Sequence, residues 1–222
     1  MLIPKKIQMK NSIQSKLSFF ILSIVTLFLV SCETGGSEEV TIGSQTWMIK
    51  NLNVDKFRNG DPVPEAKSIE EWINACENEQ PAWCYYGNDP SLGNQYGKIY
   101  NWYAVNDPRG ISPEGWRIPG QGDWTILIDY LGGKDVAGKM MKSENIWEGG
   151  GKGNNESGFS ALPGGFRTSE GFNFIGGSGF WWSSLEINNS VVEGYQLQYF
   201  ESIYTVLSPK NNRGMSIRCI KD

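Results

Sequence analysis

Histidine is absent from this chain of 222 residues. Its absence excludes the Ser-His-Asp and Cys-His catalytic arrangements, histidine general bases and zinc sites built on imidazole ligands. A hydrolase could still work with two carboxylates, but no pair among the Asp and Glu residues stands out from the rest. We therefore predict that the protein is not an enzyme, needs no cofactor and holds no metal ion.

Recognisable ligand loops are also missing. Residues 154–156 and 186–189 offer the oxygen ligands that calcium prefers, but neither has the spacing of a calcium loop, and loop polarity explains both equally well. The glycine-rich runs 149–151 and 176–179 lack the Lys-Ser/Thr ending of a phosphate-binding loop. Turn formation is the simpler explanation for these runs.

Positive charge is scarce. The chain has 20 Lys and Arg against 24 Asp and Glu, a net charge of −4. Four of the lysines and no acidic residue fall within residues 1–31, so the remainder of the chain carries −8. Nucleic acids and anionic lipid surfaces are bound by basic patches, and we therefore expect no nucleic acid partner.

One long apolar run is present, LSFFILSIVTLFLV at residues 17–30. It is shorter than the roughly 20 residues of a membrane-spanning helix. Lysines precede it, which is typical of a secretory signal, and either Met1 or Met9 could be the start. An uncleaved membrane helix is the alternative, which the small residues and the cysteine at its end disfavour.

The run ends in Leu-Val-Ser-Cys, which resembles the bacterial lipobox, whose cysteine becomes the lipidated first residue. We predict a lipoprotein signal peptide over residues 1–31, a lipid anchor on Cys32, a polar tether over 32–39 and a single domain over 40–222. The acidic tether resembles the surface-export signals of Bacteroidota lipoproteins. The predicted location is the cell envelope, as an outer membrane lipoprotein.

Three cysteines remain after Cys32. In an oxidising envelope, a disulfide between Cys76 and Cys84 is the natural expectation, with two buried free thiols as the alternative. Cys219 alternates with Met215 and Ile217 along one stretch, which predicts a small buried apolar side chain.

Helical spacing occurs in three places. Ser68 begins a capping box, and Ile69, Trp72, Ile73 and Cys76 follow at the spacing of one buried helix face. A second helix is predicted from the positions of Trp124, Leu127, Ile128 and Leu131, ending at the glycine pair 132–133. A third is expected over residues 135–142.

Short strands are predicted elsewhere. Residues 40–49 have the pattern of two strands around a Gly-Ser turn. Further strands are expected at residues 179–184, 194–200, 203–207 and 215–220. Helices early in the chain and antiparallel strands late predict an α+β fold.

Six stretches carry a resemblance to a known family. In chain order they are VTIGSQTWMIKNLNVDKFRNGDPVP, YGKIYNWYAVNDPRG, GWRIPGQGDWTILIDYLGG, NESGFSALPGGFR, GFWWSS and GMSIRCIKD. They resemble the blocks of the Fibrobacter succinogenes major paralogous domain, from about residue 40 to residue 222. The resemblance implies an extracytoplasmic domain, often on lipoproteins, with no settled biochemical activity.

A more distant similarity concerns fold. RIPGQGDW and GMSIRCI are similar to sequence motifs of the formylglycine-generating enzymes. This similarity implies a C-type lectin-like fold. Such a fold has short antiparallel strands, paired terminal strands, two or three flanking helices and a loop-rich half. The enzymes use a copper-binding cysteine pair, whereas this half of the chain has Cys219 alone, so their activity is not implied. Many family members have a cysteine where this chain has Ser112, so Cys219 lacks that partner.

The segment GFWWSS, residues 179–184, places two tryptophans side by side. Neighbours in a strand point to opposite faces, so one of the pair is left for a second layer or for solvent. We hypothesise that Trp181, with Tyr195, Tyr199 and Arg167, lines a shallow surface that binds a glycan or another extracellular polymer. Packing of the loop half onto the sheet is the commoner role for each tryptophan taken singly.

Three functions follow from these features. The first is a non-catalytic envelope domain that binds a polysaccharide or a surface protein. The second is a carboxylate-dependent glycan-active enzyme, which would need two facing carboxylates in one pocket. The third is a structural component of the surface or of an assembly, for which a continuous exposed apolar patch would be diagnostic.

Overall fold

The computed structural model describes residues 38–151, 153–200 and 202–222. The predicted signal peptide, Cys32 and most of the predicted tether lie outside these residues. The described residues belong to one compact unit. Within them, no helix is both long and apolar enough to cross a membrane.

The strands of the described residues form two sheets. In chain order they are β1 (Glu39–Ile42), β2 (Gln45–Met48), β3 (Trp83–Cys84), β4 (Ile99–Asn101), β5 (Trp116–Arg117), β6 (Gly164–Thr168), β7 (Gly171–Ile175), β8 (Ser178–Asn188), β9 (Val191–Gln198), β10 (Ile203–Pro209), β11 (Gly214–Met215) and β12 (Ile220–Lys221). The small sheet has the order β1-β2-β12-β5, and the eight-stranded sheet has the order β10-β9-β8-β6-β11-β4-β3, with β7 paired to β6. All named pairs are antiparallel except β6 with β8.

Short helices connect and flank these strands. The α-helices are α1 (Ile69–Glu77), α2 (Gly93–Tyr96), α3 (Trp102–Val105), α4 (Gln121–Tyr130) and α5 (Lys134–Met141). Single 3-10 turns lie at Tyr86–Asn88, Pro90–Leu92 and Glu148–Gly150. The fold is α+β, as the sequence predicts, and the N-terminal strand β2 pairs with the C-terminal strand β12.

Helix α1 begins with the predicted capping box. The Ser68 hydroxyl accepts a hydrogen bond from the backbone N of Glu71 (3.1 Å), and the Glu71 carboxylate accepts one from the backbone N of Ser68 (3.3 Å). Trp72 and Cys76 are buried, but Ile69 is 43% exposed. The buried stripe is therefore narrower than predicted, because α1 meets the core through two side chains one turn apart.

Helix α4 follows its prediction, with Trp124, Leu127, Ile128 and Leu131 all buried. Asp123 fixes the first turn of this helix. Its carboxylate accepts a hydrogen bond from the backbone N of Gly120 (2.8 Å) and forms a bidentate ion pair with Arg117 (2.5 and 2.7 Å). Arg117 and Asp123 therefore join the small sheet to the start of this helix.

Replacing Asp123 with asparagine should reduce the free energy of unfolding by about 1 kcal/mol at neutral pH, since Arg117 is partly exposed and water screens the pair. Hydrogen bonds from Arg117 lower the pKa of the Asp123 carboxyl. The contribution of the Asp123 carboxylate to stability is thus fully present above the unfolded pKa of about 3.9 and is lost as the pH falls below it.

Urea unfolding of Asp123→Asn and of the wild type at pH 6 and pH 2.5 measures this contribution, with the exposed Asp129→Asn as control. An equal effect at both pH values would contradict it.

The two tryptophans of GFWWSS enter different parts of the core. Trp181 packs with Trp47, Trp124 and Phe159 beneath α4 and α5. Trp182 lies in a second cluster with Tyr100 and Trp102. Both side chains are fully buried, so β8 is covered on both faces at this point.

The C-terminal segment departs from the predicted strand at residues 215–220. β11 belongs to the large sheet and β12 to the small one, so the chain crosses between sheets over residues 216–219. Cys219 is buried in the same cluster as Met215 and Ile217. Its predicted role as a small apolar core side chain is confirmed.

The predicted disulfide is not formed. Cys76 and Cys84 are free, buried thiols in one cluster with Trp72 and Ile99. Burial raises the pKa of both thiols to about 11, so they are protonated at neutral pH. The structure thus shows the two buried free thiols that the sequence left open as the alternative to a bridge.

Candidate functional site

The four side chains predicted to form a binding surface do not lie together on the surface. Trp181 and Arg167 are fully buried, Tyr195 is 3% exposed, and Tyr199 is 46% exposed. The prediction is therefore wrong for three of the four. Each of the three has a structural role that accounts for its burial.

The Trp181 side chain is packed and hydrogen-bonded within the core. Its Nε1 donates to Oδ1 of Asn51 (2.8 Å), and its ring meets Phe159 edge-on. A Cβ at Gly179 would overlap the Trp181 ring, so glycine is required beside it. This is the packing role that the sequence left open as the alternative.

Arg167 and Tyr195 are also internal. The Arg167 guanidinium lies over Trp72, 4.6 Å from the ring centroid, and donates to the backbone oxygens of Ala66 (3.0 Å) and Ser68 (2.5 Å). It thus ties β6 to the segment before α1. Tyr195 stacks on Trp124 at 4.6 Å, and burial raises the pKa of its phenol.

Tyr199 lies beside an open groove of about 300 Å³. Its lining residues come from β7, β8, β9 and the segment just after β9, the β7–β8 turn and the 3-10 turn after Trp147. They are Glu148, Gly149, Phe174, Gly177, Ser178, Gln196, Gln198 and Tyr199. We call this the Phe174–Tyr199 groove.

Phe174 provides an exposed aromatic ring at the groove. It is 60% exposed and has a φ of +65°, a left-handed backbone conformation that is strained for a bulky residue. Phe166 stacks against it at 5.8 Å, and Phe180 lies 6.5 Å away. A strained backbone that holds an aromatic side chain exposed is typical of functional positions.

Two amide side chains lie on the groove side of β9. Gln196 and Gln198 alternate with the buried Tyr195 and Leu197, so they project from the opposite face of the sheet. Within the described part of the chain, neither side-chain amide has a hydrogen-bond partner. Each can therefore offer both donors and an acceptor to a ligand.

Tyr204 extends the same surface onto the neighbouring strand. It is opposite Gln196 in the β9–β10 ladder, and directly paired residues project from the same face of a sheet. Its side chain is exposed. The groove therefore continues as a strip of aromatic rings and amides across two strands.

Lys142 fixes the loop that carries Tyr199. Its side chain is fully buried at the end of α5. Its Nζ donates to the backbone oxygens of Gln198 (3.2 Å), Tyr199 (3.3 Å) and Phe200 (2.8 Å) and lies 5.4 Å from the Trp147 ring centroid. Three consecutive carbonyl groups are thus held by one ammonium group.

The glycine run 149–151 packs against the same loop. Gly149 has a φ of +67°, and a Cβ there would lie 3.5 Å from the Tyr199 ring. A Cβ at Gly151 would overlap the backbone oxygen of Tyr199. The sequence predicted that this run forms turns. The structure gives a second reason for glycine at these positions, which is the close approach of Tyr199.

Two larger hollows lie along residues 51–58, with volumes of about 560 and 430 Å³. Several of the charged groups that line them already have partners within the chain. Lys50 pairs with Glu38 (3.1 Å), and Arg58 donates to the backbone oxygens of Ser112 (2.7 Å) and Trp116 (2.5 Å). Unpartnered amides make the smaller Phe174–Tyr199 groove the better candidate.

The polar loops considered for calcium use their oxygens locally. Oδ1 of Asn154 accepts from the backbone N of Glu156 (3.3 Å), and Oδ1 of Asn188 accepts from the backbone N of Ser190 (2.9 Å). Among the residues that the structure describes, no group of three or more Cys, Asp or Glu side chains is placed to hold a metal ion.

Sequence reasoning found Tyr199 but missed its neighbours. The alternation of Gln196 and Gln198 with apolar residues was visible, yet their amides were assigned to no site. Phe174 gave no signal, because its exposure depends on an unusual backbone conformation. Lys142 gave none either, since lysine is almost never fully buried.

Comparison with known proteins identifies a family. The family model described as the Fibrobacter succinogenes major domain matches residues 40–221 of the chain. No match was found among curated proteins or among solved structures.

Proposed function

The chain belongs to the Fibrobacter succinogenes major domain family, and from that premise we propose that it is a non-catalytic domain that binds a glycan in the Phe174–Tyr199 groove. The observation that carries the proposal is the combination of exposed aromatic rings with two unpartnered amides. Binding sites commonly combine apolar surface with a few well-placed polar groups.

Sugar rings have the matching chemistry. Their C–H faces are apolar and can lie on the rings of Phe174 and Tyr199, while their hydroxyls exchange hydrogen bonds with Gln196 and Gln198. Lys142 and the glycine run hold Tyr199 in place before a ligand arrives, so binding costs little ordering of the loop. An open groove that continues toward Tyr204 suits a polymer better than an isolated small molecule.

The proposal includes the location of the domain. Residues 1–31 act as a lipoprotein signal peptide, and Cys32 carries the lipid that holds the domain at the outer membrane. A C-type lectin-like architecture fits this role, and the pairing of β2 with β12 supports it. The net charge of −8 after residue 31 also supports a partner that is not nucleic acid.

The two other functions make different demands. A glycan hydrolase would need a second carboxylate roughly 5–10 Å from Glu148, and among the described residues the groove lining includes Glu148 as its one acidic side chain. A purely structural surface component would have no use for unpartnered amides beside exposed rings. Release of reducing ends from a bound glycan would favour the hydrolase.

Replacing Tyr199 with alanine should weaken glycan binding about tenfold or more, as expected for a central aromatic contact. The measurement is a glycan array, followed by titration calorimetry, on the full-length protein in detergent. Tyr130→Ala is the matched control, since Tyr130 is an exposed tyrosine on α4 outside the groove. Unchanged binding by the folded Tyr199→Ala protein, or no glycan bound by the wild type, would refute the proposal.

A further inference from the structure

The charge of the Phe174–Tyr199 groove is set by Glu148. Its lining residues within the described chain otherwise carry aromatic, amide, hydroxyl or no side-chain groups. Among the lining residues that the structure describes, a glycan in this groove would therefore contact one carboxylate and no cationic side chain. That is an unusual balance for a site that would hold an acidic polymer.

The position of Glu148 is fixed by the turn between β7 and β8. Its backbone N donates to the backbone oxygen of Gly176 (2.8 Å). Gly176 has a φ of +80°, and a Cβ there would lie 2.6 Å from Cδ and Oε1 of Glu148. The carboxylate thus rests against the bare Cα of this glycine, and any side chain at residue 176 would displace it.

The Glu148 carboxylate has no ion pair or hydrogen bond with any residue that the structure describes. Tyr96 is a titratable neighbour of Glu148, and its pKa is raised mainly by burial and further by the charge of Glu148. The carboxylate is therefore available to accept hydrogen bonds from a ligand.

We infer that the groove selects uncharged glycans over uronic-acid glycans, with Glu148 as the residue that determines this specificity. The inference rests on the proposed function. A carboxylate accepts strong charge-assisted hydrogen bonds from sugar hydroxyls. A sugar carboxylate at the same place would be repelled by Glu148, and the described lining residues include no cationic side chain to offset the repulsion. The net negative charge of the domain also disfavours an anionic ligand.

Matched ligands test this directly. The probes are cellohexaose, laminarihexaose and mannohexaose, each with a counterpart whose C6 alcohols are oxidised to carboxylates. For every backbone that binds, the oxidised form should bind about tenfold more weakly, the scale of one unscreened like-charge contact. Raising the ionic strength should narrow this difference, because salt screens the repulsion.

Glu148→Gln should reduce the difference to about twofold by tightening the oxidised ligands, since it removes the charge and keeps the shape. Glu170→Gln, which removes an exposed charge on the β6–β7 turn, should leave the difference unchanged. Equal or tighter binding of the oxidised forms by the wild type, or an unchanged difference in Glu148→Gln, would overturn the inference alone. Failure of every probe and of the wider array to bind would overturn the proposed function as well.

Discussion

Replacing Arg218 with methionine should reduce the free energy of unfolding by about 3–5 kcal/mol, the scale expected when a buried hydrogen-bonded charge is removed from its partners. Arg218 is fully buried. It donates to Oδ1 of Asn51 (3.2 and 2.9 Å) and to the backbone oxygens of Met48 (3.1 Å) and Phe159 (2.5 Å). The guanidinium lies over the Phe159 ring at 4.5 Å.

The partners of Arg218 are neutral oxygens, and each of them loses a donor when Arg218 is replaced. Without it, the backbone oxygens of Met48 and Phe159 would stay buried with no donor. Burial lowers the pKa of Arg218 to about 9, so the group is still charged at neutral pH. Asn51 is shared with Trp181, and the change should therefore also loosen the packing of the first tryptophan in GFWWSS.

Urea unfolding followed by tryptophan fluorescence measures the effect of Arg218→Met. Arg218→Lys is the comparison, because lysine keeps the charge but cannot reproduce the fork of donors. It should lose a large part of the same stability. A methionine variant within about 1 kcal/mol of the wild type would show that the buried oxygens find other donors.

Replacing Lys142 with methionine should lower the free energy of unfolding by about 2–4 kcal/mol, because three backbone oxygens lose a charged donor inside the protein. It should also abolish most glycan binding, since the loop carrying Tyr199 would no longer be held in one conformation. Lys142 does not line the groove. Its expected effect on binding therefore comes from positioning Tyr199.

Two measurements separate stability from positioning in the Lys142→Met variant. Amide hydrogen exchange should accelerate at residues 199–200 by more than the global change in stability accounts for. Titration with the best-binding hexaose should show the loss of affinity under conditions where the variant is fully folded. Lys134→Met, at the exposed start of α5, is the control, and an equal effect there would contradict the assignment.

Local patterns predicted much of the fold. The capping box at Ser68, the hairpin of β1 and β2 and the buried face of α4 each depend on residues within a few positions of one another. Such signals are complete in the sequence because capping, turn chemistry and helix periodicity are short-range effects. The paired terminal strands followed from the resemblance to a fold rather than from any local signal.

The candidate site was harder to predict because it depends on which sheet faces are covered. Alternation in β8 separated Trp181 from Trp182 correctly, but it could not show that both faces are buried. Arg167 became a core residue through aromatic stacking and backbone carbonyls, which no spacing encodes. Phe174 and Lys142 derive their roles from a left-handed backbone and from three distant carbonyls.

The first and last strands of the described residues, β1 and β12, both lie in the small sheet, and this has a mechanical consequence. β1 is the outer strand of that sheet, and Lys221 Nζ lies 2.9 Å from the carboxylate of Glu39. Tension applied through residues before Glu39 would first separate β1 from β2, breaking the backbone hydrogen bonds between the two strands one after another. The strands that line the Phe174–Tyr199 groove belong to the other sheet, so we expect the shape of the groove to be unchanged until β1 has separated from the small sheet.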